Sequence, residues 1–190
     1  MPKAARIVLI VLGVLLLVLV GAYFAMPSHV STSVTKTLNA PPEALFSHAG
    51  NLRTWQAWTS WANADPTLTW TYGETTSGVG GRMQWAGKDG KGSLTFTEVV
   101  PNEKLAFTMT FGDFKPTKGS MVFTPKGAQT EVTWTLEADL EGAYRLAALV
   151  FDSAIQEDFT KGLSALETYT TDNPIPDKAS LETQTPPGSN

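Results

Sequence analysis

The 190-residue chain carries 14 basic and 18 acidic residues, a net charge of −4, two histidines and no cysteine. This balance, without a cluster of lysine and arginine, argues against nucleic acid as a partner. The lack of cysteine excludes disulfides, thiol nucleophiles and cysteine-ligated zinc, and two histidines are too few for a multi-histidine metal site. We therefore predict that the chain uses no metal and no cofactor.

Residues 7–26 form an uncharged run, IVLIVLGVLLLVLVGAYFAM, that is long enough to cross a membrane. As a helix it would extend about 30 Å, the thickness of a bilayer's hydrocarbon core. Lys3 and Arg6 precede the run and the next basic residue is Lys36, so the positive-inside rule places residues 1–6 in the cytoplasm and the rest of the chain outside it. A cleaved signal peptide is the alternative, but its apolar region normally has only about 7–15 residues. We predict an uncleaved single-pass anchor in the cytoplasmic membrane.

A short linker, residues 27–31, leads into a half-buried strand in which Val34 and Leu38 alternate with polar residues. The following segment, NAPPEALFSHAGNL, predicts a helix. Asn39 is its expected cap, prolines suit its first turn, and Glu43 favours the positive end of the helix dipole.

The next segment, NLRTWQAWTSWANADP, contains three tryptophans at a spacing of three residues. On a strand this spacing would alternate between faces, whereas on a helix it places the rings on one side. We expect a short helical segment in which Trp55 packs against a sheet while Trp58 and Trp61 close the end of a cavity. A membrane-interface belt is the alternative, because the domain starts only a few residues past the anchor.

Residues 68–139 show six strand patterns separated by short turns: LTWTYG, RMQWAG, SLTFTEVV, KLAFTMTF, KGSMVFTPKG and TEVTWTLEAD. Consecutive strands with short connections are typical of an antiparallel meander. The glycine-rich SGVGG precedes a strand, so it indicates a hairpin turn rather than a phosphate site. A long helical pattern covers residues 143–169. Residues 171–190 have four prolines and little apolar content, which predicts a disordered tail.

Acidic side chains are the main candidates for chemistry. Strand parity places Glu98 on the apolar face of its strand, where a carboxylate is costly to bury without a partner such as Lys104 or Arg82. It could anchor a ligand or be an exposed charge at a strand end. Glu157, Asp158 and Lys161 are interpreted as a solvated helix face with an i,i+4 ion pair. We assign no catalytic residue.

Several segments together resemble the START-like (SRPBCC) superfamily, in particular its polyketide cyclase/dehydrase-like branch. They are APPEALF, NLRTWQAWTSWANADP, SGVGGRMQWAG, GKGSLTFTEVVPNEKLAF, TEVTWTLE and DFTKGLSAL. The resemblance implies an α+β helix-grip fold over residues 32–170, in which a curved antiparallel sheet of about six to seven strands wraps around the long C-terminal helix. The transmembrane helix precedes this domain.

The resemblance also implies a cavity for a hydrophobic small molecule or lipid between sheet and helix, but it does not imply a reaction. We therefore expect a membrane-anchored binding protein outside the cytoplasm. The alternatives are a cyclase or dehydratase, or a protein-interaction module of the cell envelope, for which no partner is identified. The aromatic and methionine side chains expected to contact the ligand, each also able to be packed core, are Trp58, Trp61, Met83, Trp85, Phe96, Phe107, Met109, Met121, Phe123, Trp134, Phe151 and Phe159.

Overall fold

The computed structural model describes residues 2–60, 62, 65, 67–88 and 90–175. In chain order its elements are α1 (Lys3–Ala25), β1 (His29–Leu38), α2 (Pro42–Ala49), α3 (Trp55–Trp58), β2 (Thr69–Tyr72), β3 (Arg82–Gly87), β4 (Gly90–Val100), β5 (Lys104–Phe111), β6 (Thr117–Lys126), β7 (Gln129–Asp139), a 3₁₀ helix (Gly142–Ala147) and α4 (Ala148–Asp172). Trp61 and residues 176–190, most of the predicted tail, lie outside the described residues.

Helix α1 contains the apolar run found in the sequence. It is 23 residues long, and its most apolar window is entirely exposed. Because its apolar side chains are exposed, the helix is not part of the domain core. An exposed apolar surface of this size is typical of a site that contacts a membrane or another protein. Its length and composition suit either a membrane span or a signal sequence. Strand β1 begins at His29, within the stretch predicted as a linker.

The seven strands form one curved antiparallel sheet in the order β1-β7-β6-β5-β4-β3-β2. The first strand pairs with the last, from His29 opposite Asp139 to Leu38 opposite Thr130. The end of the sheet where β1 begins is called here the anchor end, because α1 joins the domain there. The register brings the ends of β7 and β5, at Asp139 and Phe111, to this end as well. The predicted helix-grip fold is confirmed.

Helix α4 lies across the sheet and contributes buried side chains to the core. Phe159, Leu163 and Leu166 are buried on the face toward the strands. Polar side chains also join α4 to β1, since Lys36 Nζ donates a hydrogen bond to Ser164 Oγ at 2.8 Å. The pattern predicted as one helix from residue 143 is divided in the structure, because a 3₁₀ helix precedes α4.

Two local expectations from the sequence are wrong. Asn39 does not cap α2, which begins at Pro42 with Pro41 in the cap position; instead its Nδ2 donates to Glu167 Oε1 of α4 at 2.7 Å. Glu98 does not lie on the buried face, because the register of β4 shifts between Phe96 and Glu98. This bulge turns the carboxylate outward, where it forms a 2.7 Å ion pair with Lys104.

Candidate ligand-binding site

A cavity of about 450 Å³ lies between the sheet and α4. Its wall is formed by strands β3, β5, β6 and β7, by α4, by the first tryptophan of α3, and by the β5–β6 and β7–3₁₀ connections. The lining residues are Trp55, Trp85, Phe107, Met109, Phe111, Phe114, Lys115, Thr117, Trp134, Leu136, Ala138, Asp139, Leu140, Phe151, Ala154, Ile155, Asp158 and Phe159. The surface that they present is overwhelmingly apolar.

Of the eleven described side chains expected to contact a ligand, six line this cavity: Trp85, Phe107, Met109, Trp134, Phe151 and Phe159. Met83, Phe96, Met121 and Phe123 are buried but do not line it. Phe123 lies toward the other end of the sheet, where the ring of Phe46 in α2 packs edge-on at 5.6 Å from its own. Met121 pairs directly with the lining residue Trp134, and Met83 lies in the same cross-strand row as the lining residue Met109.

Trp55 packs against the sheet as expected, with its ring edge-on to those of Phe107 and Trp134, whereas Trp58 does not close the cavity. Trp55 lines the cavity, and its indole N–H donates to the carbonyl of Ala49 at 2.8 Å. Trp58 is fully buried and does not line it. Its ring centroid lies 4.9 Å from that of Trp55 and 5.7 Å from that of Trp134. Trp58 thus packs against two residues of the cavity wall without lining the cavity itself.

Two aromatic rings of the wall lie against glycines on the neighbouring strand. Phe107 of β5 is paired with Gly119 of β6, and Trp85 of β3 is paired with Gly92 of β4. A Cβ atom built at Gly119 would lie 2.2 Å from the Phe107 ring, and one at Gly92 would lie 2.2 Å from the Trp85 ring. Both glycines therefore provide the space in which these rings lie flat on the sheet.

Asp158 brings a carboxyl group to the apolar wall. It follows Phe151 and Ile155 at helical spacing and adjoins Phe159, so these residues share the inward face of α4. Its interpretation as part of a solvated face is wrong, although Glu157 and Lys161 do form the exposed ion pair expected, at 2.6 Å. A search for helix positions in phase with the apolar residues would have found it.

Burial raises the pKa of the Asp158 carboxyl above its ordinary value. The neighbouring carboxylate of Glu157 acts in the same direction. A hydrogen bond from the Ser60 hydroxyl and the positive charge of Lys161 act in the opposite direction without reversing the shift. The carboxyl can therefore be neutral at a higher pH than an exposed aspartate, and a neutral carboxyl both donates and accepts hydrogen bonds.

Charged pairs surround the cavity at the anchor end. His29 Nδ1 lies 2.9 Å from Asp139 Oδ1, and Lys115 Nζ lies 2.6 Å from Glu141 Oε1. The hydrogen bond from His29, followed by its charge and those of nearby lysines, lowers the pKa of Asp139. Asp139 thus differs from Asp158: its neighbours lower its pKa, whereas burial raises the pKa of the carboxyl on the wall.

Other sequence candidates lie away from this cavity. His48 Nε2 is 2.9 Å from the carbonyl oxygen of Asn173, and its ring packs edge-on against Tyr169. The SGVGG segment is a turn in which Gly78 and Gly80 have φ of 71° and 86°. Within the described ranges, no group of three or more histidine, aspartate or glutamate side chains is placed to hold a metal ion.

A curved antiparallel sheet gripping a long C-terminal helix over an apolar cavity defines the helix-grip class of proteins. Residues 29–171 match the family described as "Polyketide cyclase / dehydrase and lipid transport", and the chain belongs to this family. The resemblance to the START-like superfamily is thereby confirmed. No curated protein is significantly similar to the chain.

Solved structures share the fold at low sequence identity. A protein of Thermus thermophilus is 18% identical with a TM-score of 0.58, over 77% of this chain and all of that one. A protein of unknown function from Staphylococcus aureus is 15% identical with a TM-score of 0.59, over 75% and 96%. DynU16, from the dynemicin biosynthetic locus, is 14% identical with a TM-score of 0.53, over 74% of this chain and 47% of that chain.

Proposed function

We propose that the chain binds a hydrophobic small molecule or lipid in the cavity between sheet and α4, and that α1 anchors this domain to the outer face of the cytoplasmic membrane. The observation that carries the proposal is the cavity itself, about 450 Å³ with an almost wholly apolar wall. Ligand pockets typically have volumes of about 300–1,000 Å³ and combine apolar walls with a few polar groups.

The polar groups on the wall suggest how the ligand is oriented. An apolar body would lie against the stacked rings of Trp134 and Phe159, whose centroids are 4.1 Å apart. A ligand oxygen could accept a hydrogen bond from the neutral carboxyl of Asp158, or a ligand hydroxyl could donate to it when ionised. The ligand class is therefore a mainly apolar molecule that carries at least one oxygen function.

Family membership supports the same conclusion, because the family description includes lipid transport as well as cyclases. A domain that only binds needs an apolar pocket with few polar groups, and this is what the wall offers. Catalysis by nucleophilic attack would require a nucleophile beside an oriented base, and neither histidine lies on the wall.

The test is to block the cavity and compare what co-purifies with the protein. Ala154 is an exposed residue of α4 on the cavity wall, and Gln156, two residues further along, is exposed and outside it. Ala154→Trp should deplete the bound ligand at least about tenfold, the equivalent of about 1.4 kcal/mol, while Gln156→Trp should retain it. Small molecules are extracted from each full-length protein and quantified by mass spectrometry against protein. Bilayer lipids around α1 should be common to the wild type and both variants. Identical profiles of extracted small molecules in all three proteins would therefore refute the proposal.

The membrane orientation requires its own experiment. In intact cells whose outer surface is exposed to protease, residues 28–190 should be digested while residues 1–6 stay protected. The chain should also resist alkaline extraction. A soluble domain that lacks residues before Met26 would show instead that the apolar run is a cleaved signal sequence.

An enzyme of the cyclase or dehydratase type is the second candidate, and the raised pKa of Asp158 favours it. Burial raises the pKa of this carboxyl on the cavity wall, which is the direction that suits a carboxyl to general acid–base catalysis. Asp158→Asn separates the two functions. A binding protein should retain the same co-purified molecule, whereas an enzyme should accumulate a chemically different one, its unconverted substrate.

A further inference from the structure

The cavity lies at the anchor end of the domain. Phe111 and Asp139, the last residues of β5 and β7, and Thr117, the first residue of β6, all line it. The register places these strand ends beside the start of β1. The cavity therefore lies at the end of the sheet nearest to α1, while α2 and α3 cover the opposite end.

The chain between α1 and the sheet is very short. Helix α1 ends at Ala25 and β1 begins at His29, so three residues connect them. Fully extended, they reach about 10 Å. Strand β1 has ten residues and therefore extends about 33 Å further. If α1 spans the membrane, the start of β1 is therefore held within about 10 Å of the bilayer.

Contacts also connect the end of α1 to the 3₁₀ helix, which follows the lining residue Leu140. The Tyr23 hydroxyl donates a 3.0 Å hydrogen bond to the carbonyl of Gly142, and the guanidinium of Arg145 lies 5.7 Å from the centroid of the Tyr23 ring. A groove between α1 and the domain shares Lys115 and Asp139 with the cavity lining. The anchor and the cavity therefore adjoin one another.

Large apolar side chains are exposed at this end. Leu149 is 72% exposed and Leu146 is 54% exposed, on consecutive turns leading into α4. Phe111 and Phe114, both on the cavity lining, are 45% and 40% exposed. The 3₁₀ helix that carries Leu146 adjoins the cavity lining, since the Tyr144 ring centroid lies 4.4 Å from that of Phe114. Exposed apolar groups with a tyrosine and an arginine at the same end have the composition of a membrane–water interface.

We propose that this rim, formed by Phe111, Phe114, Leu146 and Leu149, rests on the outer surface of the bilayer, and that the ligand enters the cavity directly from the outer leaflet. The inference rests on the proposed membrane anchor and ligand-binding function. It names the ligand's source: a molecule dissolved in the membrane rather than one taken from water. Burying the rim in the headgroup region also removes its apolar surface from water, which is favourable in proportion to the area covered.

Single-cysteine labelling tests the orientation, because the chain has no native cysteine. Leu149→Cys and Phe114→Cys place an environment-sensitive fluorophore on the rim. Val79→Cys is the matched control: it is 65% exposed and lies in the β2–β3 connection, at the edge of the sheet opposite β1. The full-length proteins are reconstituted in vesicles of phosphatidylcholine and phosphatidylglycerol. A lipid that carries a quencher near its headgroup should remove most of the emission at 149 and 114 and leave that at 79.

Three results would overturn the proposal. One is equal quenching at all three positions, and another is no quenching at any of them. The third is a blue-shifted label at 149 that the lipid does not quench, since a second copy or another protein would then cover the rim.

The cavity-blocking comparison of Ala154→Trp with Gln156→Trp is made on the same vesicles. If ligand is present in a domain whose rim is unquenched, this inference fails while the proposed function stands. If the rim is quenched but no ligand is found, the orientation is supported and the binding function fails.

A charge on the rim provides a second measurement. Leu149→Glu introduces a carboxylate where the bilayer should lie, at a position too exposed to disturb folding. It should lower the amount of co-purified ligand, whereas Val79→Glu should not. Equal ligand content in the two variants would show that the ligand does not enter across this rim.

Discussion

Gly119→Ala tests whether the wall of the cavity is as tightly fitted as the structure indicates. The added Cβ would lie 2.2 Å and 2.3 Å from two carbons of the Phe107 ring. Ordinary contact between carbons is about 3.5–4.0 Å, so the ring must withdraw by about 1.3 Å or more. The sheet lies behind the ring and the cavity lies in front of it, so the ring should move into the cavity.

The expected cost is that of overpacking, about 1–3 kcal/mol. For a chain of this size, a loss of about 2 kcal/mol lowers the melting temperature by about 4–8 °C. Ligand content should fall as well, because the ring now occupies part of the cavity. Ser120→Ala is the matched control, because residue 120 is the next in β6 and points to the other face of the sheet.

The assay combines thermal unfolding with the mass-spectrometric measurement of ligand. Phe107→Leu in the Gly119→Ala background should recover part of the loss, since the clash disappears with the ring; a double-mutant cycle would give a coupling of about 0.5–3 kcal/mol. An unchanged melting temperature would refute the reasoning about the glycine. A lower melting temperature with unchanged ligand would show that the ring moves elsewhere.

Three further predictions concern single side chains. Burial raises the pKa of Asp158, so the folded state binds its proton more tightly than the unfolded chain does, and the free energy of unfolding falls as pH rises above 3.8. Asp158→Asn should therefore raise the melting temperature at neutral pH and remove this part of the pH dependence. Hydrogen bonds from Asn39 lower the pKa of Glu167, so its stabilisation is complete above 4.5 and is lost as pH falls below that value. Glu167→Gln should cost about 1.5–3 kcal/mol at neutral pH and weaken the sensitivity to acid, as measured by urea unfolding at each pH. Trp55→Ala removes a buried ring and its hydrogen bond to Ala49, and should cost about 3–5 kcal/mol in the same assay. A loss below about 1 kcal/mol would show that the ring is not part of the core.

The strands and their buried faces were predictable because alternation is a local property. Leu105 and Phe107 of β5 are buried as their period of two requires. The prediction failed at Glu98, because one extra residue in β4 moves the side chains that follow it to the opposite face of the sheet. The hydropathy pattern of the sequence does not reveal such a bulge. Extrapolation along a strand is reliable only as far as its pairing is regular.

The candidate site was less predictable because its boundary depends on which part of the core is filled. Met121 and Trp134 are cross-strand neighbours with the same apolar character, yet only Trp134 lines the cavity. The difference depends on tertiary packing around each side chain, which neither residue type nor strand register reveals. Asp158 was missed for a related reason: a charge next to an exposed ion pair resembles a solvated face until the helix phase is fixed by packing.

The pairing of β1 with β7 has a consequence for how the domain forms. His29 and Asp139 are 110 residues apart, so the first strand to follow α1 obtains its partner only when the last strand is available. Closing so long a loop is entropically costly, and topologies rich in such distant pairings fold slowly, in milliseconds to seconds. If the part of the chain after α1 is translocated across the membrane as it is synthesised, β1 emerges first and waits with its backbone groups unpaired. During that interval it is the segment most open to association with another chain.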